Sequence, residues 1–234
     1  MKTPNPIEIT VEVKGASFVA RDYLITLERR AAPLVEVWTD EPVAMGSEAL
    51  VYTTFLKETA PYVDFVVNRF AQVSQTSFMA SGEGLARLAL DSPFCERLLR
   101  ADLNSCLAAV AEALGLTFVP MTPVVTFPMD WLFLSTVRNA FDQLWRDYEL
   151  TGVRWHLDFL GGKLLLLPAL LPGLPIEIDE LAQSETEKGI ITDILPNLRP
   201  FLPVSYRGET RVIDKVVLNG KTKQAQLDLA GPED

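Results

Sequence analysis

The feature that most constrains the fold is a change of hydrophobic period along the chain. From Ile7 to Val13 every second residue is isoleucine or valine, which is the period of a half-buried strand. Between Pro93 and Leu114 the apolar residues are spaced mainly by three and four, as on one face of a helix. Alternation returns after Gly152. This order predicts an α+β fold: two mainly antiparallel, barrel-like β units with a central pair of helices.

The N-terminal β unit is predicted from short alternating runs separated by breaks. These runs are Ile7–Val13, Phe18–Leu27, Leu34–Trp38, Leu50–Phe55, Asp64–Phe70 and Thr76–Ala80. Ala31-Ala32-Pro33 is predicted as the break before the third run, and Ser81-Gly82-Glu83-Gly84 as a turn. We expect an antiparallel barrel or sandwich.

The first central helix is predicted over Pro93–Leu114, with Ser92 as its N-cap and Gly115 as its C-terminal stop. Asp102 is the alternative cap if the helix breaks near Arg100. The predicted buried face consists of Leu99, Leu103, Cys106, Leu107, Val110 and Leu114.

The second central helix is predicted to begin at a Ser135 cap and to end by Gly152. Its buried stripe is Val137, Phe141, Leu144, Trp145 and Tyr148. Leu116–Pro128 holds three prolines and is predicted as a loop or edge segment.

Two hairpins define the C-terminal β unit. The first pairs Val153–Phe159 with Lys163–Leu167, and a short strand follows near Ile176. The second pairs Arg211–Leu218 with Lys221–Leu229 across Asn219-Gly220, the preferred dipeptide of a type I′ turn. The predicted segments are therefore residues 1–90 (β-rich), 91–150 (helical) and 151–234 (β-rich).

Composition narrows the class of protein. The chain has 234 residues, 48% hydrophobic and 22% charged, which excludes intrinsic disorder and allows folding without a disulfide or metal. No membrane span or secretory signal is predicted, and two separated cysteines fit a reducing cytosol. A formal charge of -10 argues against a groove that grips nucleic acid and against an anionic membrane.

The sequence offers little for catalysis. His156 is the only histidine and occupies a position that favours a solvated strand residue over a catalytic one. Ser81–Gly84 lacks the third glycine, the lysine and the hydroxyl residue of phosphate-binding loops, and no GxSxG elbow occurs. The carboxylates lie in polar loops. No catalytic, cofactor-binding or metal-ligating residue is predicted, and no cofactor.

The aromatic residues of the central segment have two interpretations. Their helical spacing favours a core, while a pocket for an apolar small molecule is the alternative. They are Trp131, Phe133, Phe141, Trp145 and Tyr148. A cytosolic module that binds a small molecule is therefore the second functional hypothesis. An acid/base hydrolase is a third, but it needs a carboxylate pair in a cleft that the sequence does not offer.

The order of the motifs resembles the baseplate hub protein of bacteriophage tails and contractile injection systems. In that family a helix ending in a Leu-Gly-Leu-like step precedes a second helix, a Leu-rich hairpin and a Pro-rich turn. The matching segments are Ser77–Leu85, Leu103–Leu116, Thr136–Trp145, Val153–Asp158, Gly162–Pro168, Gly189–Pro200 and Thr210–Val216. The turn here reads Leu195-Pro196-Asn197 instead of Leu-Asn-Pro, and Phe201 stands where glycine is expected.

The resemblance implies a non-enzymatic virion protein, assembled in the host cytoplasm, that forms part of the tail. A homotrimer would join the tail tube to the central spike, beside other baseplate proteins, as a hub or a shorter adaptor. DNA would pass its acidic channel without specific binding. The candidate assembly interface is the segment Pro196, Asn197, Leu198, Arg199 and Pro200, whose restricted backbone would hold a loop in shape. The alternative is that these prolines only end a strand.

Overall fold

The computed structural model describes residues 7–28, 31–158, 162–168, 175–179, 181–185, 189–195 and 198–230. The chain folds into two compact units. The terminal unit comprises Met1–Leu85 and Pro172–Asp234, and the inserted unit comprises Ala86–Leu171. These boundaries differ from the predicted division at residues 90 and 150, because the C-terminal strands pair with N-terminal ones.

The terminal unit is built from strands only. In chain order they are β1 (Glu8–Val13), β2 (Ala16–Val19), β3 (Asp22–Glu28), β4 (Ala31–Thr39), β5 (Glu48–Phe55), β6 (Glu58–Ser74), β7 (Ser77–Glu83), then β13 (Ile176–Glu177), β14 (Ala182–Glu185), β15 (Gly189–Asp193), β16 (Pro203–Tyr206), β17 (Glu209–Asn219) and β18 (Gln224–Ala230).

The inserted unit mixes helices and strands. In chain order they are α1 (Leu85–Asp91), which starts at the unit boundary, β8 (Pro93–Ala101), α2 (Leu103–Ala113), β9 (Thr117–Pro120), β10 (Met129–Thr136), α3 (Val137–Asp147), β11 (Val153–Asp158) and β12 (Lys163–Pro168). No helix in the described part of the chain is long and apolar enough to cross a membrane.

One sheet holds all thirteen described strands of the terminal unit. Its order is β14-β15-β18-β17-β3-β4-β7-β6-β5-β1-β2, with β16 beside β17 and β13 beside β16. All pairs are antiparallel except β13 with β16. The predicted N-terminal β unit and the strands from Ile176 onward are therefore parts of a single sheet, which does not close among the described strands. The first hairpin of the predicted C-terminal unit, β11 with β12, belongs instead to the inserted unit. The α+β class and the mainly antiparallel pairing are confirmed.

The core of the terminal unit follows directly from alternation. In β1 the side chains of Ile9, Val11 and Val13 are buried while their neighbours are not. The same pattern in β4 buries Val35 and Val37. Removing such side chains from water stabilises the fold by about 25 cal/mol per Å² of apolar surface.

The inserted unit has its own core. β8 pairs with β10, while β12 lies between β11 and β9, the latter pair being parallel. Helices α2 and α3 pack together and contact these strands. Buried Leu107, Val110, Phe141 and Leu144 come from the two helices.

The first predicted helix is wrong over its first half. Pro93–Ala101 is strand β8, since Phe94 and Ala101 are buried in its pairing with β10. The helical spacing at Leu99 is fortuitous, because pairing with a strand distant in the sequence decides the conformation. Asp102, the alternative cap, is the true N-cap: its Oδ1 accepts the Ser105 backbone N–H at 2.8 Å.

The second predicted helix is confirmed with a shift of one residue at its start. Thr136, not Ser135, is the N-cap of α3, because its side chain accepts the Asn139 backbone N–H. Ser135 belongs to strand β10 and receives a hydrogen bond from the Asn139 side chain at 2.8 Å. Trp145 and Tyr148 are half-buried at the edge of the predicted stripe.

The last hairpin is confirmed, but its predicted type I′ turn is wrong. Asn219 pairs with Leu24 of β3 and stays extended, so the loop runs from Gly220 to Lys223. The Asn219 side chain accepts the Thr222 N–H at 3.2 Å, and Lys223 has the positive φ, 58°. Pairing with β3 thus overrides the local turn preference.

Two further predicted breaks lie inside strands. Ala31 to Pro33 begin β4, where Pro33 still contributes its carbonyl by accepting the Gly84 N–H at 2.9 Å. Ser81, Gly82 and Glu83 belong to β7, not to a turn. A Cβ atom on Gly82 would lie 1.8 Å from the Val66 carbonyl oxygen, so glycine allows β7 and β6 to approach.

Gly82→Ala should lower the free energy of unfolding by about 2–4 kcal/mol, because the added methyl collides with backbone. Urea denaturation of the full chain measures this loss. Ser81→Ala on the same strand is the control, since it adds no atom at this contact. A Gly82→Ala protein as stable as the control would contradict the strand packing.

Asp102→Ala should cost about 1 kcal/mol of stability at pH 7 through loss of the α2 cap. Hydrogen bonds from Ser105 lower the pKa of Asp102 below its usual 3.8. The Asp102 carboxylate therefore stabilises the folded chain above pH 3.8. This contribution to the free energy of unfolding disappears as the pH falls through the lowered pKa of the folded state. Asp102→Asn retains a cap and is the control. Denaturation curves at pH 7 and pH 3 that give equal losses would contradict this account.

Candidate assembly interface

The segment after position 197 lies against strand β6. Leu198 is fully buried, and its carbonyl accepts a 2.7 Å hydrogen bond from the Tyr62 hydroxyl. Tyr62 is only 2% exposed. Since a buried carbonyl without a partner is costly, this bond fixes the segment to the sheet.

Arg199 lies over the ring of the same tyrosine. Its guanidinium carbon is 5.1 Å from the centre of the Tyr62 ring, within cation–π distance, and its Nη2 donates to the Pro61 carbonyl at 3.2 Å. Burial raises the pKa of Tyr62, and the charge of Arg199 partly opposes that rise. The tyrosine is therefore neutral and donates its proton at physiological pH.

Strand β17 holds the downstream end of the segment. Phe201 has a φ of 74°, and its N–H donates to the Ile213 carbonyl at 2.8 Å. The Ile213 N–H in turn donates to the Leu202 carbonyl at 3.1 Å. The left-handed backbone occurs at the position where the family resemblance expects glycine.

The predicted interface residues thus fall into three groups. Pro196 and Asn197 lie outside the described residues. Leu198 directs its side chain into the core of the terminal unit. Arg199 and Pro200 are half-buried and partly accessible to a partner. Tyr62, the residue that anchors the segment, is not predicted from the sequence, because its Pro-Tyr-Val context carries no distinguishing signal.

Some titratable side chains are held by defined contacts with each other. The Tyr206 hydroxyl donates to Glu185 at 2.6 Å, and Arg207 pairs with the same carboxylate at 2.6 Å. Cys106 is buried, and its sulfur lies 3.8 Å from the Tyr148 hydroxyl. Burial raises the pKa of the Cys106 thiol, which disfavours the reactive thiolate.

His156 is exposed on β11, as predicted. Cys95 is exposed on β8. Within the described ranges no group of three or more His, Cys, Asp or Glu side chains could hold a metal ion.

The central aromatic residues fill the core of the inserted unit. Trp131 is 1% exposed, and its ring lies 5.9 Å from Phe94 and 5.8 Å from Phe133. Phe141 stacks on Trp155 with ring centres 4.3 Å apart. Trp131 and Phe133 lie on strand β10, not on a helix. Their close packing favours the core interpretation over a ligand pocket.

The fold is that of solved tail proteins. The 43 kDa tail protein of prophage MuSo2 from Shewanella oneidensis superimposes with a TM-score of 0.73 at 12% identity, covering 98% of this chain and 100% of that one. A tail protein from Neisseria meningitidis MC58 gives a TM-score of 0.70 at 11% identity, covering 97% of each chain.

A secretion-system protein shares the fold as well. The E. coli c3393 protein is a component of the type VI secretion system with structural similarity to the T4 bacteriophage tail proteins gp27 and gp5. It gives a TM-score of 0.59 at 9% identity, covering 94% of this chain and 76% of that one. No protein-family model and no curated protein sequence matches. The resemblance inferred from the motif order is thus confirmed at the level of fold.

Tyr62→Phe should lower the free energy of unfolding by about 1–3 kcal/mol, because it leaves the Leu198 carbonyl buried without its donor. The ordinary tyrosine pKa is 10.0, and the folded value is raised. The wild-type chain should therefore lose stability above pH 10, and the variant should lose less over the same interval.

Tyr206→Phe is the matched control, since its hydroxyl bond to Glu185 is exposed. Tyr206→Phe should lower the free energy of unfolding by much less than Tyr62→Phe does. Urea denaturation at pH 7 and pH 11 measures both effects. Equal losses in the two variants would contradict the anchoring role of Tyr62.

Proposed function

We propose that this chain is a structural part of a phage-type tail, acting as a baseplate hub or a shorter tail adaptor. The observation that carries the proposal is the fold shared with the MuSo2 tail protein over 98% of this chain. The E. coli secretion protein, which is similar to the T4 tail proteins gp27 and gp5, supports the same proposal. In this role the chain acts by binding other subunits and does not catalyse a reaction.

The proposed assembly is a homotrimer that contacts the tail tube, the spike and other baseplate proteins. The open sheet of the terminal unit supports it, since among the described strands the order ends at β2 and β14. Exposed sheet edges are sites of further strand pairing, and a closed ring covers them. An obligate ring interface buries about 2,000 Å² or more.

A channel for DNA is the proposed property of the assembled ring. A chain with a formal charge of -10 repels phosphate groups when its acidic side chains line the lumen. DNA then slides without specific binding. The ring forms in the host cytoplasm and resides in the virion tail.

The segment Pro196–Pro200 is proposed as a rigid connection at a subunit or partner contact. Its support is the anchoring of Leu198 by Tyr62 and the position of Arg199 over the same ring. A segment held in this way binds a partner with little further loss of entropy.

The native mass of the chain over a concentration series tests this function. Light scattering should give a trimer, and electron-microscope class averages should show a central hole. A compact monomer at every concentration, which also fails to enter tail particles assembled with its neighbours, would contradict the proposal.

A further inference from the structure

Exposed large apolar side chains concentrate in one part of the inserted unit. Six of them define what we call the apolar stripe: Leu99, Met121, Val125, Phe127, Leu132 and Leu134. Val125 is 98% exposed, Phe127 90% and Leu134 80%. A soluble protein rarely leaves so many neighbouring apolar residues in water unless they bind something.

One half of the stripe is a face of the β8–β10 ribbon. Leu134 is paired with Cys95 and Leu132 with Arg97, so these four side chains share the outer face. Leu99 follows on the same face of β8 by alternation. The inner face is occupied by buried residues such as Phe133.

The other half of the stripe precedes β10. From Met121 to Phe127 every second residue is exposed, as in a strand, although no described strand pairs with residues 123–128. The side chain of Thr126 faces inward and accepts the Leu103 N–H at 3.0 Å, which holds the segment in place. A register irregularity between Met129 and Trp131 separates the two halves.

The segment also lacks charge. From Ala113 to Met129 the sequence has no Asp, Glu, Lys or Arg, in a chain that is 22% charged. Interface cores are depleted of charged residues in the same way. An extended, uncharged segment with outward apolar side chains is suited to contact with another protein surface.

We propose that the apolar stripe is a contact with a second copy of this chain. This inference rests on the proposed trimer and assigns part of its interface. At the exposures found here, the six side chains present on the order of 700 Å², close to the roughly 800 Å² per partner of a stable interface. A contact of this size accounts for most of one subunit boundary.

Charge supports a second copy as the occupant. Each copy carries a formal charge of -10, so two copies repel each other unless their contact supplies cations. Arg97 lies on the stripe's own face and Arg100 adjoins it, and both side chains are exposed. The two arginines would be attracted to the acidic surface of a neighbouring copy. A contact between different surfaces of the two copies repeats around a ring.

The test compares two double variants that make the same change of charge. V125K/L134K places two lysines in the stripe. V73K/M45K places two lysines at exposed apolar positions of the terminal unit, where Val73 is 58% and Met45 67% exposed. Melting curves confirm that both remain folded, and sedimentation equilibrium measures association.

The wild-type chain and V73K/M45K should associate alike, whereas V125K/L134K should associate at least tenfold more weakly. If V125K/L134K forms the wild-type trimer, the apolar stripe is not the contact between copies, and the proposed trimer itself is unaffected. A wild-type chain that is monomeric throughout, but whose stripe variant fails to enter tail particles, would assign the stripe to a different tail protein and overturn the second-copy proposal.

Cys95 provides a second readout that needs no variant. Its thiol is exposed beside Leu134, while Cys106 is buried. Alkylation of Cys95 should slow at least tenfold as the wild-type chain associates. A labelling rate that stays constant while the trimer forms would also overturn the proposal.

Discussion

The pairing of β17 with β3 is the contact on which the architecture depends. It joins the last long strand of the chain to one of the first, in antiparallel register from Lys215 with Glu28 to Asn219 with Leu24. Lys215 Nζ lies 2.5 Å from Glu28 Oε1, and this hydrogen bond raises the pKa of the lysine. β17 also pairs with β18 and β16. The pairing of β17 with β3 therefore connects all the C-terminal strands to the N-terminal strands of the sheet.

This pairing explains why the chain forms a discontinuous unit. The inserted unit begins and ends within a chain whose two ends belong to the same sheet, so its own core can form separately around α2 and α3. Gly220, in the loop after β17, shows how closely this loop approaches Tyr23 of β3. Its N–H donates to the Tyr23 carbonyl at 2.8 Å, and a Cβ there would lie 2.7 Å from the Tyr23 ring. The candidate interface segment after position 197 depends on the same arrangement, since the Phe201 N–H donates to the Ile213 carbonyl of β17.

Local patterns predicted the α+β class, the hairpins and helix α3, because alternation and capping act over a few residues. They failed where a distant partner decides the conformation. Pro93–Ala101 has helical spacing but becomes a strand beside β10, and Asn219 leaves its expected turn to pair with Leu24. The candidate interface segment is predicted from its prolines, whereas Tyr62, which anchors it, is distant in the sequence. Exposure of the apolar stripe likewise follows from packing that no local pattern contains.

The most direct test of this architecture is the detection of nuclear Overhauser contacts between β17 and β3 in the deuterated 234-residue chain. The account predicts cross-strand contacts between Val217 and Thr26 and between Lys215 and Glu28, together with slow amide exchange along both strands. A β17 that contacts only β16 and β18, with β3 open to exchange, would contradict it. The two ends of the chain would then form separate β units.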